Sequence, residues 1–97
     1  MHARVVLGKV KHDMQDEAVR IYRESVAPAA SQQKGFKTLQ LLTDPETSKF
    51  ISITIWESEE DMITGESSGY LQEQLGKISS LFVGPPSIQH YWVSEQI

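Results

Sequence analysis

The sequence contains no cysteine and no asparagine. The first absence excludes disulfides, thiolate catalysis and cysteine metal sites. The second removes every acceptor for N-linked glycosylation. No apolar run approaches the ~20 residues that span a bilayer. A strand pattern is under way by Ala3, so no signal peptide is read and a cytoplasmic location is expected. Positive charge is also scarce: 9 Lys and Arg against 13 Asp and Glu leave a net charge of −4. Nucleic acid and anionic membrane are therefore not expected partners. The three histidines, His2, His12 and His90, form no recognisable metal spacing, and no metal is expected.

What is present is ordinary globular composition, 39% hydrophobic and 23% charged, over 97 residues. The chain is read as a single domain, 1–97. A chain of this size buries only about 65% of its unfolded surface, so its core is thin and a partner subunit would help.

The central stretch from Gly35 to Met62 reads as strand, turn, strand and capped helix start. Phe36 to Leu42 and Phe50 to Trp56 are rich in β-branched and aromatic residues, and Thr43 to Ser48 supplies turn chemistry through Asp44 and Pro45. Ser58, with Asp61 three residues on, predicts an N-cap. Before this stretch, Arg4 to Val10 predicts a strand, and Asp13 is the expected N-cap of the helix that follows. Met14, Ala18, Ile21, Tyr22, Val26 and Ala29 mark one face of that helix, and Pro28 is expected to end or kink it near Val26. After the hairpin, a short helix from Ser58 to about Thr64 is expected to break at Gly65–Gly69. Tyr70, Leu71, Leu75, Ile78, Leu81 and Phe82 then resume a helical stripe. Gly84-Pro85-Pro86 stops it, and Ile88 to Val93 is the last strand. The order β-α-β-β-α-β predicts an α+β, ferredoxin-like sandwich with an antiparallel sheet.

An antiparallel sheet with one wet face alternates apolar and polar residues. The third strand does not: Ile51, Ile53 and Ile55 point one way, and Phe50, Ser52, Thr54 and Trp56 the other. The last strand likewise sets Ile88, His90 and Trp92 against Gln89, Tyr91 and Val93. Two helices cover one face only, so the other is expected to pack against a second sheet in a homodimer.

Gly35-Phe36, Asp44, Phe50, Trp56-Glu57-Ser58-Glu59-Glu60, and Gly84-Pro85-Pro86 before His90-Tyr91-Trp92 together resemble the antibiotic biosynthesis monooxygenase family. The resemblance extends over nearly the whole chain. It implies a dimeric α/β barrel, sheet against sheet, and for one group of members a cofactor-independent oxidation of phenolic polyketides to quinones. In that group an Asn and a Trp stand four residues apart on the third strand; here the positions hold Ser52 and Trp56. The Tyr early in the second helix corresponds to Met62, and the Arg further along falls near Leu75 or Gly76. In haem-degrading relatives the Asn of strand one, and the Trp and His of the second helix, correspond to positions near Gly8, Gly65 and Leu75, so no haem ligand is carried over.

Trp56 either stacks on an aromatic substrate and donates through its indole N–H, or packs the strand-to-helix corner. Ser52 and Thr54 share its face and would line a polar spot in a largely apolar cavity. Tyr22 and Tyr70, on the buried stripes of the two helices, would reach the same cavity or place their hydroxyls at its rim. His90, with Trp92 on its face, is a candidate general base or a hydrogen-bonded structural residue. Gly65-Glu66-Ser67-Ser68-Gly69 matches the nucleophile-elbow spacing, but it follows a helix rather than a strand, so it reads as a helix break whose glycines would let it act as a lid over a pocket. Glu57, Glu59, Glu60 and Asp61 read as acids favoured by a helix start. The expected function is cofactor-independent monooxygenation of a small phenol or quinol, with Trp56 and Ser52 positioning it. The alternative is a non-catalytic homodimer that binds a small hydrophobic or aromatic molecule.

Overall fold

A computed structural model describes residues 1–97. Strands β1 (His2–Lys9), β2 (Phe36–Asp44), β3 (Lys49–Trp56) and β4 (Ser87–Trp92) form one sheet in the order β2-β3-β1-β4, antiparallel at every pair. Helices α1 (Gln15–Ile21) and α2 (Ala27–Ser31) follow β1, while α3 (Glu59–Ser67) and α4 (Tyr70–Ile78) follow β3. All four lie in the layer that covers one face of the sheet. This is the ferredoxin-like order, and no helix is long and apolar enough to cross a membrane.

The β1–β3 register pairs His2 with Trp56, Arg4 with Thr54, Val6 with Ser52 and Gly8 with Phe50, so these eight residues share the helix-facing side. At one end of that face Phe50 meets Tyr22 and Phe82 edge-on, at centroid separations of 5.8 and 5.4 Å, within a core completed by Val10, Ala18, Val26 and Ile78. Gly8 makes this packing possible: a Cβ there would lie 2.3 Å from a Phe82 ring carbon. On the opposite side, Ile51, Ile53 and Ile55 remain half-buried, with Leu42 and Tyr91 exposed beside them.

Three local expectations are corrected. Asp13 does not cap the first helix; it takes a left-handed conformation (φ 63°), and no side chain caps that helix start. The Gln15 amide instead ties it to the β2–β3 turn, donating to the carbonyls of Asp44 and Lys49. Nor does Pro28 end the helix. A π-helical turn, Tyr22–Val26, joins α1 to α2, with the Ala27 N–H donating to the Tyr22 carbonyl five residues back. Pro28 falls in the first turn of the new α segment, where its missing N–H costs little, and the helix continues to Ser31. Finally, α3 runs through Gly65 to Ser67 and breaks only at Gly69, whose φ of 91° a residue with a side chain would adopt at a cost. The Ser58 cap is present, its hydroxyl accepting the Asp61 N–H at 3.1 Å.

Gly8→Ala forces Phe82 out of its seat and is expected to destabilise the fold by about 1–3 kcal/mol. Chemical denaturation checks this. A Gly8→Ala/Phe82→Leu double variant should recover part of the loss, because the smaller side chain frees the space the new methyl needs.

Candidate functional site

Between the helix layer and the sheet lies a slot with mostly apolar walls. Val6 and Phe50 come from the sheet, Val26 and Ala30 from the first helical run, and Leu71, Leu75, Ile78 and Phe82 from α4 and its continuation. Its polar groups are Arg4, Ser52, Thr54, Tyr22 and Tyr70. Its cavity volume is only about 30 Å³. As closed here it admits a water, and an aromatic guest has to widen it.

The polar groups are ordered along the slot by the strand register. Ser52, opposite Val6, hydrogen-bonds the Tyr22 hydroxyl, which the π-helical turn brings onto the sheet. One pair further along, Arg4 stands opposite Thr54. Arg4 is 2% exposed, and its guanidinium sits 4.9 Å from the Trp56 ring centroid and 5.8 Å from that of Tyr70. Its Nη2 donates to the Tyr70 hydroxyl at 2.6 Å; Nη1 lies 3.3 Å from both the Met62 carbonyl and Glu66 Oε2. The same Glu66 oxygen is 2.8 Å from Nε2 of His90, which is partly exposed on β4. A continuous polar chain therefore runs from Tyr70 in the slot through Arg4 and Glu66 to His90 at the surface. Burial raises the pKa of both Tyr22 and Tyr70 above the usual phenol value, against the lowering influence of Ser52 and Arg4 on Tyr22 and of Arg4 on Tyr70. Both hydroxyls are thus neutral hydrogen-bonding groups near neutral pH.

Of the residues singled out in sequence, Ser52, Thr54, Tyr22 and Tyr70 converge on the slot. Trp56 does not line it. Fully buried, it donates its indole N–H to Thr54 Oγ1 at 2.8 Å, meets Phe36 edge-on and offers its ring face to Arg4. His90 and Trp92 border a separate shallow surface cleft with His2, Glu59 and Ile63. Trp92 is 71% exposed and rests on the His2 ring at 3.7 Å. His2 Nε2 lies 3.0 Å from a Glu59 carboxylate oxygen, but off the line of a hydrogen bond. Ser67, in the elbow-like spacing, merely donates to the Thr64 carbonyl one turn back. Gly65 of that stretch makes room for Tyr70, because a Cβ there would come within 2.9 Å of the ring.

Arg4 and Glu66 were not reached by sequence reasoning. The signal for Arg4 is its phase: it is a cation two residues from Val6 on the helix-facing side of a strand otherwise rich in valine. Glu66 carries no such signal, since its partner is fixed only by the tertiary fold.

Tyr22→Phe strands the Ser52 hydroxyl in an apolar setting, and Ser52→Ala does the same to the Tyr22 hydroxyl. Each is expected to cost about 1–2 kcal/mol, while the double variant costs clearly less than the sum. Denaturant unfolding of the four-member cycle measures the coupling.

The sequence profile of the family described as "Antibiotic biosynthesis monooxygenase" matches residues 1–73. No curated protein matches the chain. Among solved structures, the fold is similar to the monooxygenase from the ActVA-Orf6 gene of Streptomyces coelicolor, solved with nanaomycin D (TM-score 0.82, 20% identity, covering 99% of this chain and 89% of that one). It is also similar to a Bordetella bronchiseptica protein provisionally classed as an antibiotic biosynthesis monooxygenase (TM-score 0.81, 16% identity, 94% of each chain). A third is a variant of SnoaB, a cofactor-independent oxygenase from Streptomyces nogalater (TM-score 0.79, 12% identity, 99% and 96%). At these identities the likeness speaks for the fold. The profile match spans most of the chain, and the chain belongs to the antibiotic biosynthesis monooxygenase family.

Proposed function

We propose that the chain acts as a single-domain, cofactor-independent monooxygenase that oxidises a small phenol or quinol held in the slot between helices and sheet. The observation that carries this reading is the slot itself. It has apolar walls, two neutral tyrosine hydroxyls, Ser52 and one buried cation, all reached from a single face of the sheet. That is the make-up of a site that surrounds an aromatic ring and orients its oxygen. The Streptomyces relatives described as a monooxygenase and a cofactor-independent oxygenase support it by analogy of fold.

The chemistry balances without a reductant. A phenol that gives up two hydrogens and gains one oxygen atom becomes a quinone; the second atom of dioxygen leaves as water, and the substrate supplies all four electrons. What the protein has to provide is a bound, electron-rich phenolate, shielded from water and placed so that dioxygen reaches the ring. Ser52 and Tyr22 would hold one oxygen of the substrate. Trp56 acts one step back from the substrate, orienting Arg4 and Thr54. Leu71 and Leu75 on α4, which starts at the left-handed Gly69, line the slot that has to widen to admit the ring. A second reading, binding without turnover, is favoured by the neutrality of Tyr22 and Tyr70, which leaves the slot without a base among its tyrosines.

The partner proposed is a second copy, joined through the sheet face that carries Val5, Leu7, Ile51, Ile53 and Ile55. Placing a charge there with Ile53→Glu should convert a dimer to monomer in sedimentation velocity; a wild-type monomer refutes the pairing. For activity, oxygen uptake is measured against a panel of naphthols and naphthoquinols. The expected outcome is uptake with quinone formation, lowered about tenfold or more in a Tyr70→Phe variant that still folds. Tight binding with no uptake across the panel would favour the binding module.

A further inference from the structure

With a cavity of about 30 Å³, the slot takes an aromatic guest only after its walls part. The sheet wall is a continuous ladder of antiparallel pairs through β3, β1 and β4. The helix wall is two separate runs, Gln15–Ser31 and Tyr70–Ile78. Tyr22, Val26 and Ala30 of the first line the slot together with Leu71, Leu75 and Ile78 of the second. The seam between the two runs is therefore the roof of the slot.

That seam is fastened by one polar latch. The Ser25 hydroxyl donates to Gln74 Oε1 at 2.8 Å and accepts from Lys77 Nζ at 3.0 Å. No other hydrogen bond joins the two runs. Gln74 is buried, 7% exposed, on the face of α4 that also carries Leu71 and Ile78. A leucine at this position would pack with no polar group left to satisfy. The backbone is weakened on both sides of the latch. Ser25 lies inside the π-helical turn, where the α-helical bond ladder is interrupted. Gly76 stands two residues beyond Gln74 in the interior of α4, and a Cβ there would meet nothing within 4 Å. No packing demands a glycine at that point, and it costs helix stability relative to alanine.

We propose that the Ser25–Gln74–Lys77 latch is the gate of the slot, and that the helical runs part at this seam, between the π-helical turn and Gly76, to admit and release a ring. This inference rests on the slot being the ligand site. A polar latch suits a gate better than an apolar zipper does. Water re-satisfies its groups once the seam opens, whereas leucines laid bare there would stay costly. Parting the runs draws Val26, Leu71 and Leu75 off the slot while Arg4, Ser52 and Thr54 stay seated on the sheet. The helix layer thus gives up some stability for access to what lies beneath it.

The test follows entry and release of 2-naphthol by stopped-flow fluorescence, and the stability of the same variants by urea denaturation. Ser25→Ala removes the atom that both latch contacts share. It should lower the denaturation midpoint and speed entry and release about fivefold, the factor carried by a net hydrogen bond of ordinary strength. Gly76→Ala and Gln74→Leu should do the reverse, raising the midpoint while slowing both rates. Residues with a purely structural role would move the midpoint and leave the rates alone. Rates unchanged in Ser25→Ala and Gly76→Ala, with naphthol still bound, overturn the gate and leave the slot as a ligand site. Wild-type protein that binds no naphthol overturns both. So does binding undiminished in a folded Leu75→Trp variant, whose larger side chain fills the slot.

Discussion

Removing a guanidinium from water is among the more expensive things a small domain can do, and the placement of Arg4 organises much of this one. Unpaired, a buried cation costs several kcal/mol or more. Here the cost is offset by two aromatic faces, a carbonyl, a carboxylate and a hydroxyl drawn from β3, α3 and α4. Each of those groups has to arrive in register. That requirement explains why Trp56, fully buried, gives its N–H to Thr54 rather than to a ligand, and why Gly65 has no side chain where the Tyr70 ring passes. The slot inherits its polarity from the same arrangement. Its Phe50–Phe82 end is a conventional hydrophobic core, and its Arg4 end is a charge held in place by rings.

The two ends answer to different physics. At the apolar end, interdigitating rings tolerate little change in volume, and Gly8 marks how closely they approach. At the polar end, geometry is set by directed bonds that lose most when only one partner is removed. Tyr22 and Ser52 sit between them. Their hydroxyls satisfy each other in the closed slot and would have to be re-satisfied by whatever enters.

The architecture was legible in the sequence because strand and helix periodicities fall on long, clearly bounded segments. The β-branched run Phe50–Trp56, the Ser58 cap and the stop at Gly84-Pro85-Pro86 each carry their own physical reason. The site was partly legible. Ser52, Thr54, Tyr22 and Tyr70 follow from knowing which side of a strand or helix faces inward. Trp56 was placed on the correct face, but whether a buried ring meets a guest or another side chain depends on what packs above it. Arg4 was hidden within a strand read for its valines, and the Glu66–His90 contact joins residues 24 apart through the tertiary fold alone. The continuation of the first helix past Pro28 was hidden for another reason: rules for proline presume α-helical bonding on both sides of it, and here a π turn precedes it.

That turn has a consequence for how the protein tolerates change. It accommodates one residue more than an α-helix would over the same rise, and Tyr22 stands at its first position. Losing a single residue between Tyr22 and Val26 would give back ordinary helical bonding and leave the two flanking segments close to their present phase, because the π turn already absorbs the extra residue. A deletion within a regular α-helix shifts its phase by about 100°; a one-codon deletion here would not. The segment would become a more regular helix, with the residues on either side kept on their present faces. The extra residue is therefore a local bulge beside the Tyr22–Ser52 contact, and the faces of the helical segments on either side do not depend on it.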